Sequence, residues 1–144
     1  MIIRQQYEDH DISFTLSLDE NIRPILGNQF KLEQVILNLI TNARDAIDEK
    51  FIDAHSEEKQ ISITTIQEKQ FAYIKISDNG IGIQKNNIDH IFEPFYTTKD
   101  PEKGTGLGLS VSYGILEEMN AEISVSSKPN LFTTFTIKFE TTSA

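Results

Sequence analysis

Alternating apolar and polar positions predict most of the strands in this chain. Apolar side chains occupy every second position in residues 12–18, and alternation of this kind is typical of a half-buried strand. A hairpin is predicted where two such runs flank a short polar turn at 67–70. A short strand at 25–26 is also expected, between Pro24 and Gly27. The longer predicted strands are residues 12–18, 60–66, 71–77, 122–127 and 132–140.

Apolar residues recur with helical spacing in two other stretches. In residues 30–51 they follow the i, i+3, i+4, i+7 pattern, which predicts the longest helix. A second helix is predicted over 107–119 and a short one over 84–90. Helices beside strands of this kind predict a two-layer α/β sandwich, with a mixed, mostly antiparallel sheet covered on one face by about three helices. We expect a single domain over 1–144, with residues 1–10 as the tail of a preceding helical element.

Composition narrows the classes of function. The chain has 144 residues, 38% of them hydrophobic, and a net charge of −9, which argues against a nucleic-acid surface. It has no cysteine, so thiolate metal sites and disulfides are excluded, and its three histidines lack metal-ligand spacing. No apolar run approaches the ~20 residues of a membrane span, and no signal peptide is visible, so a cytoplasmic location is expected.

Asp78 follows the strand predicted at 71–77 and belongs to the same alternating row as Ala72, Ile74 and Ile76. That row is predicted to face the core, so the carboxylate points inward and needs a partner. Gly80 and Gly82 follow, where bare backbone can approach a ligand. Two interpretations remain balanced at this point: the wall of a polar pocket, and a common Asp-Asn-Gly turn.

Asn38 and Asn42 lie one turn apart on the long predicted helix. Asparagine is unfavourable inside a helix, because its amide competes for backbone hydrogen bonds. A solvated polar face explains a single asparagine well. For a pair in register between bulky apolar residues, we favour a function.

Three glycines, at 104, 106 and 108, precede or open the second long helix, after a polar and charged stretch. A helix N-terminus attracts anions, and glycine allows a phosphate to come close. Neither glycine cluster fits the dinucleotide-binding fingerprint or the P-loop. The alternatives are a phosphate-binding lid and an ordinary flexible loop.

Four segments, taken in order, resemble the sequence boxes of sensor histidine kinases. They are the asparagine box at 38–43 (NLITNA), the first glycine box at 78–82 (DNGIG), the phenylalanine box at 92–95 (FEPF) and the second glycine box at 104–109 (GTGLGL). The resemblance implies the catalytic and ATP-binding domain of such a kinase, with the Bergerat fold. The same fold occurs in gyrase-type and chaperone ATPases.

The resemblance also implies roles for individual residues. Asp78 would accept a hydrogen bond from the adenine amine, Asn42 would bind Mg²⁺, and Asn38 would lie beside the phosphates of ATP. Phe92 and Phe95 would anchor a lid to the body of the domain. The catalytic residues implied are Asn38, Asn42 and Lys99, and the further nucleotide-binding residues are Asp45, Asp78, Gly80, Gly82, Ile83, Phe95, Gly104, Thr105, Gly106, Leu107 and Gly108.

Asp45 departs from the family pattern, and Asn38 distinguishes this chain from hydrolysing relatives. Many members carry a basic residue or histidine where this chain has Asp45, and Arg44 could supply the charge instead. Hydrolysing relatives of the gyrase type have a glutamate in place of Asn38, so phosphoryl transfer is favoured over hydrolysis.

The resemblance implies transfer of the γ-phosphoryl of ATP to a histidine on a separate dimerisation and phosphoacceptor domain, with a response regulator downstream. His10 lacks the helical context of such an acceptor, so the chain is expected to be a fragment. Alone it is expected to be monomeric, whereas its parent is expected to be a homodimer, either soluble or membrane-anchored. The alternatives are a non-catalytic nucleotide sensor and a gyrase-type ATPase.

Overall fold

The structure is a computed structural model that describes residues 11–51, 58–96 and 108–142. Five strands and two α-helices form in this part of the chain, together with a single 3₁₀ turn. In chain order they are β1 (Ile12–Ser17), α1 (Gln29–Lys50), β2 (Lys59–Glu68), β3 (Phe71–Asp78), the 3₁₀ turn (Ile88–His90), α2 (Gly108–Glu118), β4 (Glu122–Lys128) and β5 (Phe132–Glu140).

The five strands form one sheet in the order β1-β2-β3-β5-β4. β1 runs parallel to β2, and the other neighbouring strands are antiparallel. The parallel pair is connected through α1, because a parallel connection needs a crossover long enough to return the chain. The prediction of a mixed, mostly antiparallel sheet with helices on one face is confirmed.

Apolar side chains from the helices and from one sheet face form two packed clusters. One joins Val35 and Leu39 of α1 to Leu116 of α2 and to β3 and β5, where Ile76 and Ile137 are almost fully buried. The other places the adjoining part of the same face of α1, with Ile40, Ala43 and Ile47, against β1 and β2. α1 therefore contributes to both clusters and packs across the sheet.

Two predicted elements differ in the structure. Residues 25–26 form no strand; Pro24, which has no N–H of its own, instead accepts a hydrogen bond at its carbonyl from Thr142 N–H, 2.9 Å away. The helix predicted at 84–90 is reduced to turns followed by the 3₁₀ turn. Asn86 and Asn87 favour turns over helix, which accounts for the difference.

Candidate functional site

Asp78 is the last residue of β3, and its side chain is 6% exposed. It shares the buried row of that strand with Ala72 and Ile76, as the alternation predicts. The Gly80 N–H donates to its Oδ1 at 2.8 Å. Among the described residues no second side-chain or backbone donor contacts the carboxylate, so it retains acceptor capacity at the edge of the core.

Burial raises the pKa of the Asp78 carboxyl to about 7, because the charged form loses its hydration. The hydrogen bond from Gly80 and the charge of Lys50 act in the opposite direction and lower the pKa. Lys50 does not pair with the carboxylate; its Nζ donates to the Asn79 carbonyl at 3.0 Å. The site therefore holds a carboxyl group whose protonation changes near neutral pH.

The glycine segment after Asp78 is packed tightly against α1. The Ile81 N–H donates to the Ala46 carbonyl at 3.0 Å. A Cβ on Gly80 would lie 2.6 Å from the carbonyl carbon of Ala46, which leaves no room for a side chain. The segment consequently has a fixed position relative to the helix that carries the asparagine pair.

On its other side, the same segment contacts the turn between β4 and β5. Gly82 has φ +74°, which favours glycine, and a Cβ there would collide with the Lys128 carbonyl. The Asn130 N–H donates to the Ile81 carbonyl, and the Ile83 N–H donates to Ser127 Oγ at 2.8 Å. Because Gly80 and Gly82 have no side chain, the segment can pack closely against α1 on one side and against the β4–β5 turn on the other.

Asn79 fastens the start of this segment to β2. Its Oδ1 accepts from Gln60 N–H at 2.8 Å, and its Nδ2 donates to the Glu58 carbonyl at 2.6 Å. The side chain thus satisfies backbone groups at the end of a strand. The Asn79 side chain therefore fixes the backbone conformation where the chain leaves β3.

Asn38 and Asn42 are half-buried on one face of α1, as predicted. Asn38 Nδ2 lies 3.2 Å from Ser112 Oγ and 3.4 Å from the Gly108 carbonyl, so it donates to the first turns of α2. Ala46, which contacts Gly80, is one helical turn beyond Asn42. α1 thereby brings the asparagine pair and the segment that follows Asp78 to the same end of the sheet.

Asp45 is half-buried and forms an ion pair with Arg44, the preceding residue of α1. Arg44 Nη2 lies 3.2 Å from Asp45 Oδ1. The pair explains how an acid is tolerated at a position where a basic residue was expected from the resemblance. The positive charge of Arg44 therefore partly offsets the negative charge of Asp45.

The two phenylalanines of the phenylalanine box behave differently. Phe92 packs against Phe135 and Tyr113, with ring centroids 6.4 Å and 5.4 Å away, as expected for an anchor. Phe95 has φ 65° and is 73% exposed, so the expectation that it packs against the body is wrong. Its backbone sits in a turn that directs the ring away from the core.

The remaining predicted site residues fall in the second glycine box and before it. Gly108 begins α2, and a Cβ there would meet no other atom within 4 Å. Lys99, Gly104, Thr105, Gly106 and Leu107 lie outside the described residues. Ile83 is half-buried beside the β4–β5 turn.

Two polar residues near Asp78 were missed by the sequence reasoning. Thr133 of β5 is 3% exposed and lies directly opposite Asp78 in the strand register. Ser127 of β4 lies opposite Thr133 and is hydrogen-bonded to it at 2.9 Å. The available signal was the buried row of β5, in which a threonine takes the place of a large apolar residue before Phe135, Ile137 and Phe139.

Comparison with known proteins agrees with the fold. A family model described as histidine kinase-, DNA gyrase B- and HSP90-like ATPase matches residues 27–143. The chain belongs to this family. The resemblance to sensor histidine kinases is confirmed, and the chain is a histidine kinase-type ATPase domain.

Similar curated proteins are sensor kinases of several bacteria. The chain is 34% identical to sensor kinase CckA of Brucella abortus over 135 residues, covering 88% of this chain and 14% of that protein. It is 39% identical to the histidine-protein kinase AtoS of Escherichia coli, covering 88% of this chain and 19% of AtoS. For ZraS of Escherichia coli the identity is 32%, with coverage of 94% and 27%. The chain therefore spans a small part of each relative's length.

Solved structures of histidine kinases have the same fold. The catalytic domain of histidine kinase ThkA, in a nucleotide-free form, superposes with a TM-score of 0.80 at 25% identity, covering 99% of this chain and 88% of that one. Full-length ShkA in complex with AMPPNP also gives a TM-score of 0.80, at 20% identity, covering 99% of this chain and 29% of ShkA.

Neither α1 nor α2, the helices of the described part, is long and apolar enough to span a membrane.

Proposed function

We propose that this domain binds ATP with Mg²⁺ and donates the γ-phosphoryl group to a histidine on a separate dimerisation and phosphoacceptor domain of a sensor kinase. The observation that supports this most directly is the Asp78 carboxylate, which is buried at the end of a central strand with one backbone donor. An acid in that state is stabilised by a ligand that brings a donor to it. The adenine amine is such a donor.

The donor set near the asparagine pair fits a magnesium ion that is shared with phosphates. Mg²⁺ prefers oxygen ligands and keeps several waters when it bridges a nucleotide. In the described residues no group of three His, Cys, Asp or Glu side chains could hold a metal by itself. Asn42 would supply one amide oxygen from the half-buried face of α1. The cation would neutralise phosphate charge, which a chain of net charge −9 needs.

Asn38 and the residues that follow Phe95 would position the phosphates. In phosphoryl transfer the protein contributes mainly positioning and charge stabilisation. Asn38 already joins α1 to the first turns of α2, so it is placed where the helix N-terminus offers N–H groups to an anion. We assign to the same phosphate site Lys99, Gly104, Thr105, Gly106, Leu107 and Gly108, with Asp45, Ile83 and Phe95 at its border.

The absence of a carboxylate at position 38 favours transfer over hydrolysis. A carboxylate there would act as a general base for water, whereas the Asn38 amide cannot take up a proton at neutral pH. Asp45 is engaged by Arg44 at 3.2 Å and so does not supply that base in this structure. We therefore expect slow hydrolysis by the isolated chain and rapid transfer when an acceptor is present.

The partners follow from this activity and belong to the same proposal. The acceptor histidine would lie on a helical domain of the parent kinase, which would be a homodimer, and a response regulator would receive the phosphoryl group next. The isolated domain would be monomeric, and we place it in the cytoplasm. These assignments concern a longer parent protein. The chain itself matches only 14% of the length of CckA and 27% of the length of ZraS.

Calorimetric titration with ATP, in the presence and absence of Mg²⁺, tests the binding step. The transfer step is tested by adding a purified phosphoacceptor domain and ATP labelled at the γ-phosphate. Label on the acceptor, lost when its histidine is replaced, supports the kinase. Binding without transfer to any acceptor would instead indicate a nucleotide sensor, and rapid release of phosphate without an acceptor would indicate a gyrase-type ATPase.

A further inference from the structure

Three polar side chains form one row across three neighbouring strands beside the candidate adenine site. Asp78 of β3 pairs with Thr133 of β5, and Thr133 pairs with Ser127 of β4. Directly opposite residues of antiparallel strands point to the same face, ~5 Å apart. Thr133 therefore has Asp78 on one side and Ser127 on the other.

The hydrogen bonds of Ser127 fix the direction in which the Thr133 hydroxyl points. Ser127 Oγ accepts from the Ile83 N–H and also lies 2.8 Å from the Phe132 carbonyl, which has no proton to give. The single hydroxyl proton of Ser127 is therefore donated to Phe132. The 2.9 Å contact between the two hydroxyls consequently has Thr133 as its donor.

Once the Thr133 proton is directed at Ser127, the oxygen lone pairs of Thr133 are left as acceptors. Among the described residues Thr133 makes no hydrogen bond to Asp78, although the two are register partners. Asp78 likewise retains acceptor capacity beyond its bond from Gly80. Two neighbouring acceptors complement a group with two N–H bonds and repel a carbonyl oxygen.

We propose that Ser127 is a positioning residue that sets the purine preference of this domain by fixing the Thr133 hydroxyl as an acceptor beside Asp78. The inference rests on the proposed nucleotide binding. An exocyclic amine at purine position 6, as in adenine, suits the two acceptors. A carbonyl at that position, as in hypoxanthine, does not. Without Ser127, the Thr133 hydroxyl can rotate and donate to a carbonyl.

The test compares ATP with inosine triphosphate, which carries a carbonyl at position 6. Both dissociation constants are measured by calorimetry with Mg²⁺ for the wild-type chain, Ser127→Ala, Ser127→Thr and Ser126→Ala. Ser127→Thr keeps the hydroxyl. Ser126→Ala makes the same chemical change at the preceding, exposed position of β4. Circular dichroism and melting curves confirm that each variant is folded.

We expect the wild type to bind ATP more tightly, and Ser127→Ala to reduce that preference by about two- to tenfold, the range of one net hydrogen bond. Ser127→Thr and Ser126→Ala should keep the wild-type ratio. A general loss of packing would weaken both nucleotides alike and leave the ratio unchanged. The ratio therefore separates a role in specificity from a structural one.

Equal ratios for Ser127→Ala and Ser126→Ala would overturn the inference while leaving the proposed nucleotide binding in place, as would a wild type that does not discriminate. A wild type that binds neither nucleotide would overturn both. If Ser127→Ala does not fold, Ser127→Cys replaces it and is judged by the same ratio, because a thiol fills the space that alanine leaves empty but is a weak hydrogen-bonding group.

Discussion

At the scale of single residues, Asp78 stands out because its burial has opposite consequences for stability and for binding. A buried carboxylate with one donor destabilises the empty domain when it is charged, and this raises its pKa to about 7. A ligand that brings a donor stabilises the same charged form. The charged Asp78 carboxylate therefore lowers the stability of the empty domain, and a bound ligand that donates a hydrogen bond to it would restore that stability.

The raised pKa predicts the direction in which stability changes with pH. Because the folded domain binds the Asp78 proton more tightly than the unfolded chain, its contribution to stability is fully present below pH ~4 and is lost as pH rises through about 7. We expect the free energy of unfolding to fall by about 2 to 3 kcal/mol between pH 5 and pH 8. Urea denaturation at the two pH values measures this.

Asp78→Asn provides the control for that experiment, because an amide does not titrate. Its free energy of unfolding should change much less over the same range. A wild type whose stability is flat or rises from pH 5 to pH 8 would contradict the assignment of a raised pKa to Asp78.

Asp78→Asn also tests the proposed adenine contact. A hydrogen bond to a charged group contributes about 1.5 to 3 kcal/mol, so ATP affinity should fall about tenfold or more. Calorimetric titration at pH 8, where the wild-type carboxylate is charged, is the measurement. Asp89→Asn, which makes the same change at an exposed position of the 3₁₀ turn, should bind like the wild type. Unchanged affinity in Asp78→Asn would contradict the proposed contact between Asp78 and adenine.

The inward position of Asp78 was predictable from the sequence, because strand alternation is strictly periodic and the residue continues an apolar row. The environment of the carboxylate was not. The sequence does not specify that Thr133 and Ser127 complete its row, because that depends on the order of β3, β5 and β4 and on their register. Neighbours from distant strands become visible when the sheet is known.

At the scale of elements, the segment after β3 is held between α1 and the β4–β5 turn. Its glycines are required by those two contacts, at Ala46 and at the Lys128 carbonyl. Gly114, in the exposed part of α2, has open space where a Cβ would lie and no such requirement. The chain thus contains glycines of two kinds, and substitution by alanine distinguishes them.

Gly82→Ala should destabilise the domain by about 2 kcal/mol or more, because it combines a positive φ with a backbone collision. Gly114→Ala should instead stabilise it by about 0.5 to 1 kcal/mol, since alanine is the better helix residue and nothing obstructs its methyl group. Melting temperature and urea denaturation measure both. Equal effects at the two positions would contradict the packing described for the glycine segment.

The long elements agreed with the periodic pattern because burial of a continuous apolar face dominates their formation. α1 differs from its predicted bounds by one residue at each end, and β5 has the predicted bounds. The short segments were predicted less well. Residues 25–26 and 84–90 bury little, so proline, asparagine and local hydrogen bonds decide their conformation instead of periodicity.

At the scale of the whole molecule, charge limits how the domain can bind a nucleotide. The chain has a net charge of −9, so a triphosphate approaches against the overall field. Arg44 is paired with Asp45, and Lys50 with the Asn79 carbonyl. Neither of these cations is therefore offered to phosphate in this structure. Under the proposed function, a divalent cation would supply compensating charge.

This balance predicts that ATP affinity depends strongly on Mg²⁺ and that Asn42 mediates the dependence. In the wild type, adding Mg²⁺ should tighten ATP binding. In Asn42→Ala the gain from Mg²⁺ should fall by about tenfold, as expected when a charge-assisted contact is lost. Asn86→Ala, at an exposed position outside α1, is the matched control and should respond to Mg²⁺ like the wild type.

The same variant separates binding from transfer in the full-length kinase. Asn42→Ala should abolish Mg²⁺-dependent phosphorylation of the acceptor histidine, because positioning of the phosphates is the main contribution that the protein makes to the reaction. Phosphorylation is followed with ATP labelled at the γ-phosphate, at nucleotide concentrations that saturate the variant. If saturated Asn42→Ala transfers at the wild-type rate, Asn42 does not help to bind the cation, and another group must hold it.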